Sequence, residues 1–93
     1  MNEARPDDDS AEVDRRRMWW HSRRGLRELD LMLLPFMEDV YSQLSAPQKA
    51  IYKRLLDNED TELLVWFTGR GMPLDPELAL MIELIKAGQR PVS

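Results

Sequence analysis

The sequence has 93 residues and a net charge of −4, which suits a single domain with one modest core. It has no cysteine and a single histidine, His21, which excludes disulfides, thiolate metal sites and clusters of several histidine ligands. Hydrophobic residues make up 43% and charged residues 32%, the balance of a globular protein with a well-charged surface.

The first residues, 1–12, are acidic, contain Pro6 and lack apolar periodicity, so we expect a disordered acidic tail. Such a composition differs from that of a secretory signal or a mitochondrial transit peptide. No apolar run approaches the roughly 20 residues that cross a bilayer. We therefore expect a cytoplasmic protein with no membrane contact, a helical domain over 13–88 and a short tail over 89–93.

Two helical segments with a break between them are predicted next. A short helix is expected over Val13–Trp20, and Ser22–Gly25 has the character of a break. Apolar residues then recur every three or four positions over Leu26–Leu44, the stripe of an amphipathic helix. Pro35 interrupts this stripe and removes a backbone donor, so we expect a kink or a break near Leu33–Leu34.

Helix-start signals mark the remaining elements. Ser45–Gln48 matches a capping box that opens a helix to about Asp57, and Asp60 is the predicted cap of the helix that follows. Asp75–Glu77 combines a cap, a first-turn proline and a first-turn acid, and Gly88 is expected to end that last helix. With no strand-like alternation and no internal repeat, the sequence predicts an all-α fold, a small bundle of about five short helices.

Trp20–Asp30 is the segment with the most features that suggest function. Residues 15–27 carry six arginines and no acid, whereas the segments on both sides are acidic. The simpler interpretation is a helix start with solvated arginines. The alternative is a contact surface for an anionic partner, because arginine forks bind carboxylates and tryptophan and arginine are enriched at interface hot spots. Gly25, without a Cβ atom, permits a positive φ or the close approach of another backbone.

This segment resembles the family of small FAD assembly factors of succinate dehydrogenase. Arg24-Gly25-Leu26-Arg27-Glu28 matches the family's Arg-Gly-x-x-Glu motif. Further blocks of the family pattern follow in order as Glu28-Leu29-Asp30, Pro35-Phe36, Leu55 through Asp60 to Trp66, and Pro73 with Asp75. The resemblance covers roughly residues 15–87 and leaves out the acidic first dozen.

The resemblance implies a five-helix bundle that is not an enzyme. Family members bind the flavoprotein subunit of succinate dehydrogenase, and in some bacteria that of fumarate reductase, and promote covalent attachment of FAD to a histidine of that subunit. FAD would travel on the client, with no cofactor held stably by this chain. The motif residues carried over as partner-binding are Arg24, Gly25 and Glu28, followed by Arg23 and Asp30, with Trp20 and His21 beside them.

These residues suggest a positioning role, since the client can supply the nucleophile itself. We expect Gly25 to permit close approach, and Arg23 and Arg24 to pair with acidic or carbonyl groups of the client. Glu28 would either contact the client or orient Arg24 from within the chain. Trp19 and Trp20 are adjacent on a helix, so one is expected to face the core and the other the solvent.

Other functions are weighed against this one. The family resemblance also suggests an antitoxin-like partner of a toxin. A nucleic-acid binder would use the arginines with the tryptophans as stacking platforms, but the chain is acidic overall and has no known nucleic-acid motif. An autonomous FAD enzyme is disfavoured because there is no glycine-rich phosphate loop after a strand. We expect no catalytic residue, no metal and no nucleic-acid partner, and a monomer or a weak dimer.

Overall fold

A computed structural model describes residues 6–88, with side chains from Ala11 onward. Over this range the chain forms five α-helices and no strand, which confirms the predicted all-α bundle. The α-helices and one short 3-10 helix after α2 are α1 (Pro6–Ser22), α2 (Arg27–Asp39), the 3-10 helix (Tyr41–Gln43), α3 (Ala46–Leu56), α4 (Asp60–Phe67) and α5 (Pro76–Ala87). None of the described helices is long and apolar enough to cross a membrane.

The first helix begins earlier than predicted. We expected disorder over 1–12 and a helix from Val13, but α1 begins at Pro6. A proline suits a first helical position, and acids that follow it are favoured at the positive end of the helix dipole. Residues 1–5 and the predicted tail over 89–93 lie outside the described residues.

The second helix lies at the centre of the bundle, where it packs against α1, α4 and α5. Of the kink or break predicted near Leu33–Leu34, the break is wrong, because α2 continues through Pro35 to Asp39. Pro35 is exposed and offers no N–H to the carbonyl group of Leu31, one turn earlier, whose side chain is also exposed. The missing donor therefore lies on the solvent side. Beyond Asp39 the predicted helix to Leu44 gives way to the 3-10 turn, a common way for a helix to end.

Two of the predicted helix starts are confirmed. Ser45 and Gln48 form a reciprocal capping box at α3, and the Asp75 carboxylate accepts a hydrogen bond from the backbone N–H of Glu77 at α5. The predicted cap at Asp60 is wrong by one residue. Glu59 occupies the N-cap position and makes no side-chain capping bond, and Asp60 is the first helical residue. Its carboxylate accepts a hydrogen bond from the Arg24 side chain instead.

One hydrophobic core connects all the elements. Its apolar side chains are Met18, Leu29, Leu33, Phe36, Met37, Tyr41, Leu44, Tyr52, Leu55, Leu56, Leu63, Phe67, Leu78, Met81, Ile82 and Ile85. α5 contributes Leu78, Met81, Ile82 and Ile85, and the α2 stripe contributes Leu29, Leu33 and Met37. α1 packs on α2 and α3. Of the residues that follow it, Arg23, Gly25 and Leu26 are exposed and Arg24 is partly buried.

Candidate functional site

The candidate site is built around residues 23–26, the α1–α2 linker. Within it Gly25 has a φ of +85°, a backbone conformation that side chains other than glycine rarely adopt. A Cβ atom added at Gly25 would meet nothing within 4 Å in this chain. The turn thus favours glycine at this position, and the outer face of Gly25 is open to any molecule that approaches the linker.

Arg24, the residue before it, points inward. Its guanidinium Nε donates to Asp60 Oδ1 at 2.7 Å, and the terminal nitrogens donate to the carbonyl oxygens of Leu56 at 3.0 Å and Asn58 at 2.9 Å. A longer bond of 3.3 Å reaches the carbonyl oxygen of His21. The Arg24 side chain is only 13% exposed. This arginine is therefore engaged within the chain by charge-assisted bonds.

Asp30 holds the backbone of the same residue. Its Oδ1 atom accepts a hydrogen bond of 2.8 Å from the backbone N–H of Arg24. Asp30 lies in the first turn of α2, where a negative charge is favoured by the helix dipole. Both the backbone and the side chain of Arg24 are thus held, the first by α2 and the second by the segment between α3 and α4.

An open groove with a volume of about 540 Å³ runs beside Gly25, and we call it the Gly25 groove. Leu31, Leu34 and Pro35 of α2 form its apolar part. Its polar lining consists of Arg23, Arg27, Asp30 and Glu38. The groove therefore has an apolar floor and a rim with both positive and negative side chains. Such a lining is better suited to binding a protein surface than to binding a single anion.

Arg23 and Arg27 are the exposed arginines of the Gly25 groove. Neither forms an ion pair with any residue of the described part of the chain, and Arg23 lies over the Trp20 ring, 5.9 Å from its centroid. Arg15 and Arg16, by contrast, lie within 3.8 Å and 3.4 Å of the Glu12 carboxylate. The arginines free to meet an anionic partner at this groove are therefore Arg23 and Arg27.

Glu28 faces the other side of α2. It lines a second, smaller concavity of about 270 Å³, the Glu28 concavity, with Leu64, Val65, Thr68, Arg70 and Thr61. The structure gives no contact between Glu28 and Arg24 within the described chain, where the carboxylates that hold Arg24 are those of Asp60 and Asp30. Of the two roles predicted for Glu28, the orientation of Arg24 is not observed, and contact with a partner stays a prediction.

The two tryptophans divide as predicted. Trp20 is 60% exposed, whereas Trp19 is half-buried and packs against the core. Their rings meet edge to face with centroids 5.1 Å apart. His21 is exposed, and its contact with Arg24 is made by its backbone carbonyl group. Trp20 and His21 are therefore at the surface, next to the α1–α2 linker.

Sequence reasoning missed the residues that hold Arg24. Asp60, Leu56 and Asn58 lie 36, 32 and 34 positions away from it along the chain. No spacing rule joins residues so far apart, and Asp60 carried a conventional signal of its own as a helix cap. No group of three or more metal-ligating side chains occurs among the described residues.

Comparison with known proteins gives one consistent result. A family model described as the flavinator of succinate dehydrogenase matches residues 16–89. The FAD assembly factor SdhE of Pseudomonas aeruginosa is 43% identical over 74 residues, which cover 80% of this chain and 88% of the relative. SdhE of Pseudomonas savastanoi pv. phaseolicola is 42% identical over the same shares. SdhE of Pseudomonas putida is 45% identical over 69 residues, 74% of this chain and 82% of the relative.

Proposed function

This chain belongs to the family of flavinators of succinate dehydrogenase, and from that membership we propose that it binds the flavoprotein subunit of that enzyme and promotes covalent attachment of FAD. The observation that carries the proposal is the open face of Gly25 between the exposed Arg23 and Arg27. A client backbone can approach Gly25 without meeting a side chain. The two arginines can then pair with its carboxylate or carbonyl groups.

The work of this chain is positioning. Attachment of FAD needs the client's own histidine and the flavin ring in reactive alignment, and holding groups in such an alignment lowers the barrier without any chemistry by the holder. None of the linker side chains has to act as an acid, a base or a nucleophile. The exposed Trp20 extends the same surface with an aromatic anchor.

FAD stays on the client in this proposal. Asp30 and Glu38 line the Gly25 groove together with Arg23 and Arg27, so the groove offers no net positive charge to the flavin's pyrophosphate. The described chain also offers no strand followed by a glycine-rich loop, the arrangement that cradles a dinucleotide. Equilibrium dialysis of the purified chain against FAD is expected to give no saturable binding.

The test is the covalent flavin content of the succinate dehydrogenase flavoprotein, read as in-gel fluorescence after denaturation. Deletion of this chain is expected to reduce the flavin band, and the wild-type chain to restore it. Gly25→Arg should fail to restore the band because its side chain fills the open face. Gly25→Ala shares the backbone strain but adds one methyl group, so it should restore a larger share. An unchanged band after deletion would overturn the proposal for this client. The fumarate reductase flavoprotein stays a second predicted client, and the same assay tests it.

A further inference from the structure

The arginine of the motif is the only one of its three named residues that the fold turns inward. All three nitrogens of the Arg24 guanidinium donate hydrogen bonds, and their acceptors lie on α1, at the end of α3, in the segment 57–59 and at the start of α4. We call residues 57–59 the α3–α4 linker. Through one side chain, two linkers that are far apart in sequence are joined at the same point of the bundle.

We infer that Arg24 is a positioning residue, and that Asp60 is its necessary partner: together they hold the α1–α2 linker so that Gly25 and Arg23 face the client. The inference rests on the proposed function for its consequence, client binding, but its structural half is independent of any client. Asp60 lies outside the Arg-Gly-x-x-Glu motif, yet its carboxylate holds the arginine of that motif. The geometry makes it as important for the site as the motif itself.

Asp60 supplies a negative charge, which the carbonyl groups cannot supply. It is the carboxylate on the guanidinium, and it neutralises a positive charge whose side chain is largely buried. The carbonyl groups of Leu56 and Asn58 set the plane of the fork, which a lysine ammonium could not match. Without Asp60, Arg24 gains by turning toward water, and the residues on either side of it turn as well.

The competing account is that Arg24 swings out to contact the client directly. The two accounts predict opposite effects of changes at Asp60. If Arg24 is a direct contact, removal of Asp60 frees the guanidinium and leaves client affinity unchanged or higher. If Arg24 positions the linker, Asp60→Asn weakens client binding even though Asp60 lines neither the Gly25 groove nor the Glu28 concavity.

The first measurement needs no client. In a proton–nitrogen NMR spectrum of the full chain, the Arg24 Nε–H group should give a slowly exchanging signal, and Asp60→Asn, which keeps an acceptor oxygen but removes the charge, should make its exchange faster. The heteronuclear NOE of the Gly25 and Leu26 amides should fall at the same time, while amides of α3 and α5 stay unchanged. An ordered linker in Asp60→Asn would overturn the structural half of the inference.

The second measurement is affinity for the succinate dehydrogenase flavoprotein, by calorimetry at a temperature where every variant is fully helical. Asp60→Asn and Arg24→Lys should each bind about tenfold more weakly, and the double variant no more weakly than either single one, because the two residues act as a unit. Arg54→Ala is the matched control, since Arg54 also bridges two elements, through Asp75 and Glu77, but its ion pairs involve no residue of the α1–α2 linker. It should bind like the wild type.

The outcomes distinguish the positioning role of Arg24 from the proposed binding of the flavoprotein. Weak binding by Arg24→Lys with normal binding by Asp60→Asn would identify Arg24 as a direct contact and overturn the positioning role. Additive losses in the double variant would overturn it as well. Failure of the wild type to bind the flavoprotein would refute the proposed function, whereas the NMR result would still decide whether Arg24 and Asp60 hold the linker.

Discussion

The hydroxyl groups of Ser22 and Tyr52 lie 2.6 Å apart in the interior, where they join the end of α1 to α3. Ser22 Oγ also lies 2.7 Å from the carbonyl oxygen of Met18, which can only accept. A serine hydroxyl has one hydrogen, so Ser22 donates to Met18 and Tyr52 donates to Ser22. This chain of bonds secures the last turn of α1, directly before the α1–α2 linker.

Ser22→Ala should therefore cost more stability than Tyr52→Phe. The first change leaves a buried tyrosine hydroxyl without its acceptor, at a cost of about 1–3 kcal/mol in the free energy of unfolding. The second leaves Ser22 bonded to Met18 and should cost about 0.5–1.5 kcal/mol. Urea denaturation followed by circular dichroism measures both. A larger loss for Tyr52→Phe would contradict the assigned donor order.

The two tyrosines should resist ionisation for as long as the bundle is folded. Burial raises the pKa of both well above the ordinary value of 10.0, and for Tyr41 the hydrogen bond to Asp14 adds to the effect. Because the folded pKa lies above the unfolded one, this contribution to stability is complete below about pH 10 and is lost as the pH rises further. Tyrosinate absorbance should appear only together with loss of helical circular dichroism. The urea-unfolded chain is the control, and ionisation near pH 10 in the intact bundle would refute the prediction.

Asp14 should stabilise the fold at neutral pH and lose that effect in acid. Although burial alone would raise its pKa, hydrogen bonds from Lys53 and Tyr41 together with the charges of Lys53 and Lys49 hold the pKa below its ordinary value of 3.8. A lowered folded pKa gives a contribution that is present above about pH 4 and disappears as the pH falls below it. The urea midpoints of wild type and Asp14→Asn should therefore differ at pH 7 and converge toward pH 2. Glu83→Gln, at an exposed position of α5, is the control and should track the wild type throughout.

Trp19 and Trp20 should separate stability from binding. Trp19→Ala removes a side chain that packs on the core and should lower the free energy of unfolding by about 1–3 kcal/mol. Trp20→Ala removes an exposed ring and should leave stability within about 1 kcal/mol of the wild type, yet weaken binding of the flavoprotein. Denaturation and calorimetry on the same two variants check this. Equal effects of both changes on binding would argue against Trp20 as an anchor.

Gly25 and Gly69 offer a matched pair for backbone strain. Both have φ near +80°, and a Cβ atom at either would meet nothing within 4 Å. Gly25→Ala and Gly69→Ala should each cost about 1–2 kcal/mol of stability, since the price is that of the left-handed conformation alone. Asparagine tolerates this conformation better and should recover part of the loss at both positions. Unequal losses, or no benefit from asparagine, would indicate a source of strain other than φ.

Local signals predicted most of the fold. Examples are the caps at Ser45 and Asp75 and the apolar positions of α5. Each depends on residues within one or two helical turns of each other, so it can be recognised from neighbouring positions in the sequence. The acidic composition of residues 1–12 predicts disorder, but Pro6 suits a first helical turn and α1 begins there. The local sequence predicts a helix cap at Asp60, but the Asp60 carboxylate accepts a hydrogen bond from Arg24, which is distant along the chain.

The sequence by itself determined the helical class, the faces that form the core and the resemblance carried by Arg24, Gly25 and Glu28, because each depends on nearby residues in order. Only the tertiary structure decided what each of these residues faces. It turned Arg24 inward to Asp60, left Gly25 open beside the exposed Arg23, and placed Glu28 on the other side of α2. The reason is physical: helix formation is a local process, whereas ion pairing and exposure depend on how helices pack, and packing joins residues whose separation along the chain is arbitrary.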